Sequence, residues 1–269
     1  MEGEEKEQVR TWLEQGLVDL FLGYRMVESH PLPHVFSAER IEDVEELVTG
    51  PARYPLEKLA MLILARDSSV KVGLLARDCN QRALNVLAVW NQVDPDRVRT
   101  LQLTCCPSRL KEHGDCSYLN RSQCGPYKQE VGINPNIRTE ELDGLPPGER
   151  FVRWMYEFQK CVKCYGCRNI CPVCFCKECS LEHPDLIGTG VLPPEVPLFH
   201  LVRAVHMAGR CVDCGLCEDA CPAEIPLRAL YRKVQGIVKD QFGYQTGTHR
   251  DQSPFSVLGD EVTLEPKPL

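Results

Sequence analysis

Two stretches of this sequence carry cysteines at one spacing. The first reads Cys161-Val162-Lys163-Cys164-Tyr165-Gly166-Cys167-Arg168-Asn169-Ile170-Cys171-Pro172. The second reads Cys211-Val212-Asp213-Cys214-Gly215-Leu216-Cys217-Glu218-Asp219-Ala220-Cys221-Pro222. Both are C-x2-C-x2-C-x3-C-P, the spacing that binds paired 4Fe-4S clusters, with the fourth cysteine of each run ligating the other cluster. Three thiolates two residues apart can wrap one face of a cubane while backbone amides point at its sulfurs. The fourth cysteine leads away towards the neighbouring site, and proline then redirects the chain. The pattern therefore assigns Cys161, Cys164, Cys167 and Cys221 to one cluster, and Cys211, Cys214, Cys217 and Cys171 to the other. Structural zinc is the competing chemistry, but it commonly closes one tetrahedron with two separated CxxC pairs.

The chain has sixteen cysteines, eleven of them between Cys161 and Cys221. Cys174, Cys176 and Cys179 extend the first run as C-x-C-x2-C and could hold a further cluster with one outside ligand; the alternative is a reduced structural trio. Cys79, Cys105, Cys106, Cys116 and Cys124 form another group. Cys79 follows one expected strand, and Cys105 and Cys106 follow the next. Four of these five could hold an N-terminal cluster, bringing one or two additional 4Fe-4S clusters into view; the alternative is a buried Cys79 and loop thiols. The histidines show no ligand pairing, and His200 and His206 read as packing or surface residues on a helix. No phosphate-cradling glycine loop and no GxSxG occurs, so nucleotide-binding and hydrolase readings have no positive support.

The formal charge is -7, which argues against general nucleic-acid binding, since that needs a basic surface. The start, Met1-Glu2-Gly3-Glu4-Glu5, lacks a basic segment followed by an apolar run, so no secretory signal is expected. No apolar stretch is long enough to insert in a membrane. A cytoplasmic chain this rich in cysteine is expected to bind metal rather than form disulfides.

Hydrophobic periodicity then places these residues on elements. A helix is expected over residues 4–15, a strand over Leu17–Tyr24, and a break at His30-Pro31-Leu32-Pro33-His34. A helix should start near Ser37 and run through Val48, and another should start at Pro55. A buried strand at Val70–Ala76, a helix over Gln81–Trp90 and a strand over Val98–Thr104 make a βαβ-like unit. Residues 1–110 thus read as an α/β domain, and 111–150 as a cysteine-containing loop or linker. Residues 151–239 read as a mainly α-helical two-cluster ferredoxin-like domain, and 240–269 as a polar tail. Within the third segment an apolar-periodic helix through Leu198, Leu201, Val202, Val205 and Met207 separates the two runs.

Residues 10–110 resemble the beta subunits of deazaflavin-dependent hydrogenases and formate dehydrogenases. The matching features are Gly16-Leu17-Val18-Asp19, Val70-Lys71-Val72-Gly73, Arg77-Asp78-Cys79, and the strand ending at Cys105. The segment ending Cys171-Pro172-Val173-Cys174-Phe175-Cys176-Lys177-Glu178-Cys179 is similar to iron–sulfur subunits of that group. Cys221-Pro222-Ala223-Glu224-Ile225-Pro226-Leu227 before a helix resembles the helical modules of heterodisulfide reductase and succinate dehydrogenase subunits. The resemblance implies an electron-transfer subunit working with catalytic and electron-carrier subunits of an anaerobic redox complex. Deazaflavin-branch members also bind FAD. The long C-terminal flavin-binding region of those subunits has no counterpart here, which puts FAD in doubt. Two other classes remain open: a flavin-containing oxidoreductase acting on a deazaflavin or similar carrier, and a zinc-stapled interaction module.

Overall fold

The computed structural model describes residues 2–49, 53–103, 142, 144–188, 190–192, 195–250 and 252–255. The chain divides into two compact units, Met1–Ile133 and Asn134–Leu269.

The first unit is α/β. Its helix α1 (Glu2–Glu14) buries Val9, Trp12 and Leu13 and ends on Gly16, whose φ of 64° is a left-handed turn that glycine adopts without strain. Strand β1 (Leu20–Val27) lies at the centre of a five-stranded sheet with β2 (His30–Ser37), β3 (Leu47–Val48), β4 (Val72–Ala76) and β5 (Val98–Gln102). Strands β1, β4 and β5 run parallel, while β2 and β3 pair antiparallel with β1. Helix α2 (Leu56–Arg66) precedes β4, and α3 (Asp78–Val89) connects β4 to β5, so the expected βαβ unit is present. The Asp19 carboxylate accepts from the Lys71 N–H at 2.7 Å, and the Asp19 N–H donates to the Lys71 carbonyl at 2.8 Å. These bonds join the Gly16–Asp19 and Val70–Gly73 segments side by side. A side chain at Gly73 would meet the Phe21 ring at 2.6 Å, so the two strands approach closely because that position is glycine.

Two local expectations fail. His30–His34 is not a break but part of strand β2, with Pro31 opposite Met26 and Pro33 opposite Tyr24. Proline is tolerated there because β2 is an edge strand, with no second neighbour needing its N–H groups. The helix expected from Ser37 is a 3-10 segment, Ala38–Glu46, followed by strand β3. Its acidic face is held by ion pairs from Arg10 to Glu45 and from Arg25 to Glu46.

The second unit is helical, with no strand among its described residues. It contains α4 (Pro147–Gln159), a short turn α5 (Gly166–Asn169), α6 (Leu198–His206), a second short turn α7 (Leu216–Asp219) and α8 (Leu227–Phe242). Leu181, Ile187 and Phe199 form a small core, with Cys161, Tyr165, Cys179 and Val202 against it. Helix α8 runs past the expected start of the polar tail at 240 to Phe242, capped by Gly243, and beyond it Ser253 is fully buried. No helix among the described residues is long and apolar enough to cross a membrane.

Candidate metal centre

The two cysteine runs fold as copies of one loop. Lys163 and Tyr165 in the first, and Asp213 and Gly215 in the second, all take left-handed φ angles of 48°, 56°, 53° and 82°. Each loop then turns into a four-residue helix, α5 or α7. Arg168 N–H donates to the Tyr165 carbonyl at 3.0 Å, and Glu218 N–H to the Gly215 carbonyl at 3.1 Å. Cys171 N–H reaches the Arg168 carbonyl at 3.2 Å, and Cys221 N–H the Glu218 carbonyl at 3.1 Å. The left-handed residues turn backbone N–H groups inward, the concavity that binds anions and Fe–S groups. Three of these groups already meet sulfur. Lys163 N–H donates to Cys161 Sγ at 3.4 Å, Gly166 N–H to Cys164 Sγ at 3.5 Å, and the Asp213 N–H to Cys211. The loops also touch: a side chain at Gly166 would lie 2.9 Å from the Ala220 carbonyl oxygen.

The structure brings the cysteines together across the loops. Cys161, Cys164, Cys167 and Cys221 line one pocket with Tyr165, Phe199, His200, Ile225 and Leu227. Cys167 lies in the electrostatic field of Cys221, Cys161 and Cys164. Cys211 lies in that of Cys214 and Cys171, and Cys217 in that of Cys211, Cys171 and also Cys167. Burial pushes the Cys167 thiol up to about 11 and raises Cys161, Cys211 and Cys217. Buried, crowded thiols are costly to ionise on their own, and a coordinating metal is what deprotonates them.

A zinc site makes a different demand. Four sulfurs about 2.3 Å from one ion must crowd close together. Among the described residues no three Cys, His, Asp or Glu side chains could hold one metal ion. A cubane would take each thiolate at a different iron and so would let the four sulfurs stand further apart. The donor set is all-thiolate, as Fe–S clusters use.

His200 supplies a second test of fit. It is 2% exposed, stacks on Phe158 at 4.9 Å and lines the first pocket. Both its ring nitrogens are buried without a hydrogen-bond partner, which is rare for buried polar atoms. Burial, with Arg203 beside it, lowers its pKa to about 4, so the ring is neutral at pH 7 and keeps one N–H to donate. A sulfur-rich anionic group in the pocket would give that N–H an acceptor.

The remaining cysteines behave differently. Cys174 Sγ faces Arg203 at 3.9 Å, Cys176 Sγ faces Arg210 at 3.6 Å, and Cys179 bonds to Arg168. The three thus meet three separate guanidinium groups rather than one shared partner. Cys79 sits half-buried in the first turn of α3, just past β4. Cys105, Cys106, Cys116 and Cys124 lie outside the described residues.

The apolar series on α6 is split, with Met207 buried and Val202 half-buried. Leu198, Leu201 and Val205 are 58%, 41% and 69% exposed, and the buried stripe is Phe199, His200, Arg203, Ala204 and Met207. A helix whose best apolar stripe points outward while a histidine and an arginine point inward has a polar demand on its inner side. Arg203 and Tyr231 are the residues that sequence reasoning passed over. The available signal was an arginine three residues after His200, between two clustered-cysteine runs.

No protein-family model matches this chain. Over 103 residues it is 41% identical to the F420-dependent formate dehydrogenase subunit beta of Methanocaldococcus jannaschii, covering 38% of this chain and 27% of that protein. Over 106 residues it is 46% identical to the F420-dependent formate dehydrogenase 1 subunit beta of Methanococcus maripaludis, covering 39% and 27%. Part of this chain is related to formate dehydrogenase beta subunits. A weaker likeness, 23% over 224 residues, covers 82% of the chain and 23% of the acetyl-CoA decarbonylase/synthase complex subunit alpha 1 of Methanosarcina acetivorans. The chain spans about a quarter of the length of these relatives.

Proposed function

We propose that the chain is an iron–sulfur electron-transfer subunit of an anaerobic multi-subunit oxidoreductase of formate dehydrogenase, hydrogenase or heterodisulfide-reductase type. The observation that carries this reading is the grouping of cysteines across the loops: Cys221 beside Cys161, Cys164 and Cys167, and Cys171 near Cys211, Cys214 and Cys217. A 4Fe-4S cluster bound at either set supplies one-electron transfer. The residues of the chain do the rest. The left-handed loops aim N–H groups at sulfur, His200 and Phe199 line the first site with Phe158 stacked on His200, and the adjoining sets keep the two sites close. Bond-making chemistry belongs to a partner subunit. The names of the relatives, all subunits of larger enzymes, support that division of labour.

An anaerobic titration of the purified full chain with dithionite tests the reading. Uptake of about two electrons per chain, with bleaching of broad visible absorbance, is expected for two clusters. A colourless protein that takes up no electrons would exclude it and favour the zinc-stapled module.

A further inference from the structure

Helix α6 buries a guanidinium that no carboxylate answers. Arg203 is 3% exposed. Its Nη2 donates to the Cys167 carbonyl at 2.7 Å and its Nη1 faces Cys174 Sγ at 3.9 Å, while Nε has no hydrogen-bond partner. Among the described residues no Asp or Glu pairs with it, and the groups that favour its charge are Tyr231, Cys171, Cys167 and Cys174. An unpaired buried charge is strongly destabilising, so the fold calls for anionic groups at this point. Cysteines of both sets feel the guanidinium: its charge favours the thiolate of Cys167, from the first set, and of Cys217, from the second. Tyr231 of α8 closes the same region. It is 3% exposed, its ring lies 5.9 Å from the guanidinium, and its hydroxyl, near Cys217, Cys167 and Cys171, has no hydrogen-bond partner.

We propose that Arg203 is a charge-compensating residue shared by both clusters, whose fixed charge offsets their negative charge and raises both reduction potentials. This rests on the two-cluster reading above. Reduction adds an electron to an already anionic group, and a cation in a low-dielectric surrounding favours that step. His200 differs in kind, because it lines the first pocket and is neutral.

The test uses the full chain, purified anaerobically. Iron and sulfide are measured first on the unaltered protein. Fewer than about eight irons would overturn the two-cluster reading itself, separately from any role of Arg203. Arg203→Met and Arg203→Lys are then compared by redox titration followed by EPR. With both clusters present, Arg203→Met is expected to lower both potentials, and Arg203→Lys, which keeps the charge, to restore most of the loss. Potentials that stay put, a shift at one cluster alone, or a lysine variant lowered as far as the methionine variant would overturn the proposal. If Arg203→Met binds no iron, Arg203→Lys decides. Two clusters with potentials close to the unaltered protein support the shared charge. Failure of the lysine variant to bind iron assigns Arg203 to holding the Cys167 backbone and overturns the proposal.

Discussion

The loops Cys161–Cys171 and Cys211–Cys221 share spacing, left-handed turns and internal hydrogen bonds, yet their surroundings differ. The residue after Val162 is Lys163, paired with Glu195 at 3.5 Å and donating to the Gly188 carbonyl at 2.7 Å. Its counterpart after Val212 is Asp213, held by Arg228 at 2.5 Å and Arg232 at 3.0 Å. Lys163 favours the Cys161 thiolate, and Asp213 disfavours that of Cys211. Cys164 is exposed, whereas its counterpart Cys214 is half-buried. Spacing and backbone turns thus build two like cradles, and the side chains around them make the cradles unequal. In an electron-transfer protein that inequality is what sets one potential apart from the other.

The largest expected effect breaks the comparison at its ligands. Cys161→Ser combined with Cys221→Ser removes two ligands from one set, and about four irons should remain. Cys211→Ser combined with Cys221→Ser takes one ligand from each set, and iron should fall towards none. Iron analysis giving the reverse order would mean that each loop closes its own cluster.

A smaller effect sharpens the inequality. Lys163→Gln should lower the potential of the first cluster, and Asp213→Asn should raise that of the second. Each shift should be on the order of tens of millivolts, since partly paired charges act through an intermediate dielectric. Redox titrations moving both potentials in one direction would contradict the assignment of opposite signs. His200→Phe should alter the EPR signal of the first cluster only, because the ring lines the first pocket. Its spread to the second signal would deny that separation.

The smallest effect lies in the other unit and serves as a reference. Glu57 in α2 is 1% exposed, accepts from Asn80 at 2.7 Å, and burial lifts its carboxyl from 4.5 to about 7. A raised carboxyl pKa favours the folded state while the group is protonated. That contribution is complete below 4.5 and is lost as pH rises through 7. Glu57→Gln should therefore stabilise the folded state near about pH 8 by up to roughly 3 kcal/mol, read as a raised thermal midpoint, and change it little at acid pH. Iron content should not change. A thermal midpoint raised equally at both pH values would show that ionisation is not the cause.

Elements whose pattern is local were legible in the sequence. The β4–α3–β5 unit announced itself by a short dense apolar run, a helix and a second strand, and the cysteine spacing marked both loops. What failed depended on neighbours distant in sequence. Pro31 and Pro33 read as a break because nothing local reveals that β2 is an edge strand. Leu198, Leu201 and Val205 belong to the apolar series that marks α6, yet periodicity alone does not say which members the interior takes. The buried side of α6 carries His200 and Arg203 beside Phe199, Ala204 and Met207, which leaves part of the apolar series exposed. Arg203 was illegible for the same reason. Its role comes from lying near Cys167 and Cys217 together, which spacing along the chain does not encode.

The most direct test of the central claim is the iron, sulfide and zinc content of the anaerobically purified chain, read with its reduced EPR spectrum. Two clusters held by the exchanged sets predict about eight irons and about eight sulfides per chain, little zinc, and a reduced cluster signal. About twelve or sixteen irons would add Cys174–Cys179 or the N-terminal cysteines as further cluster ligands. Zinc without iron would contradict the account.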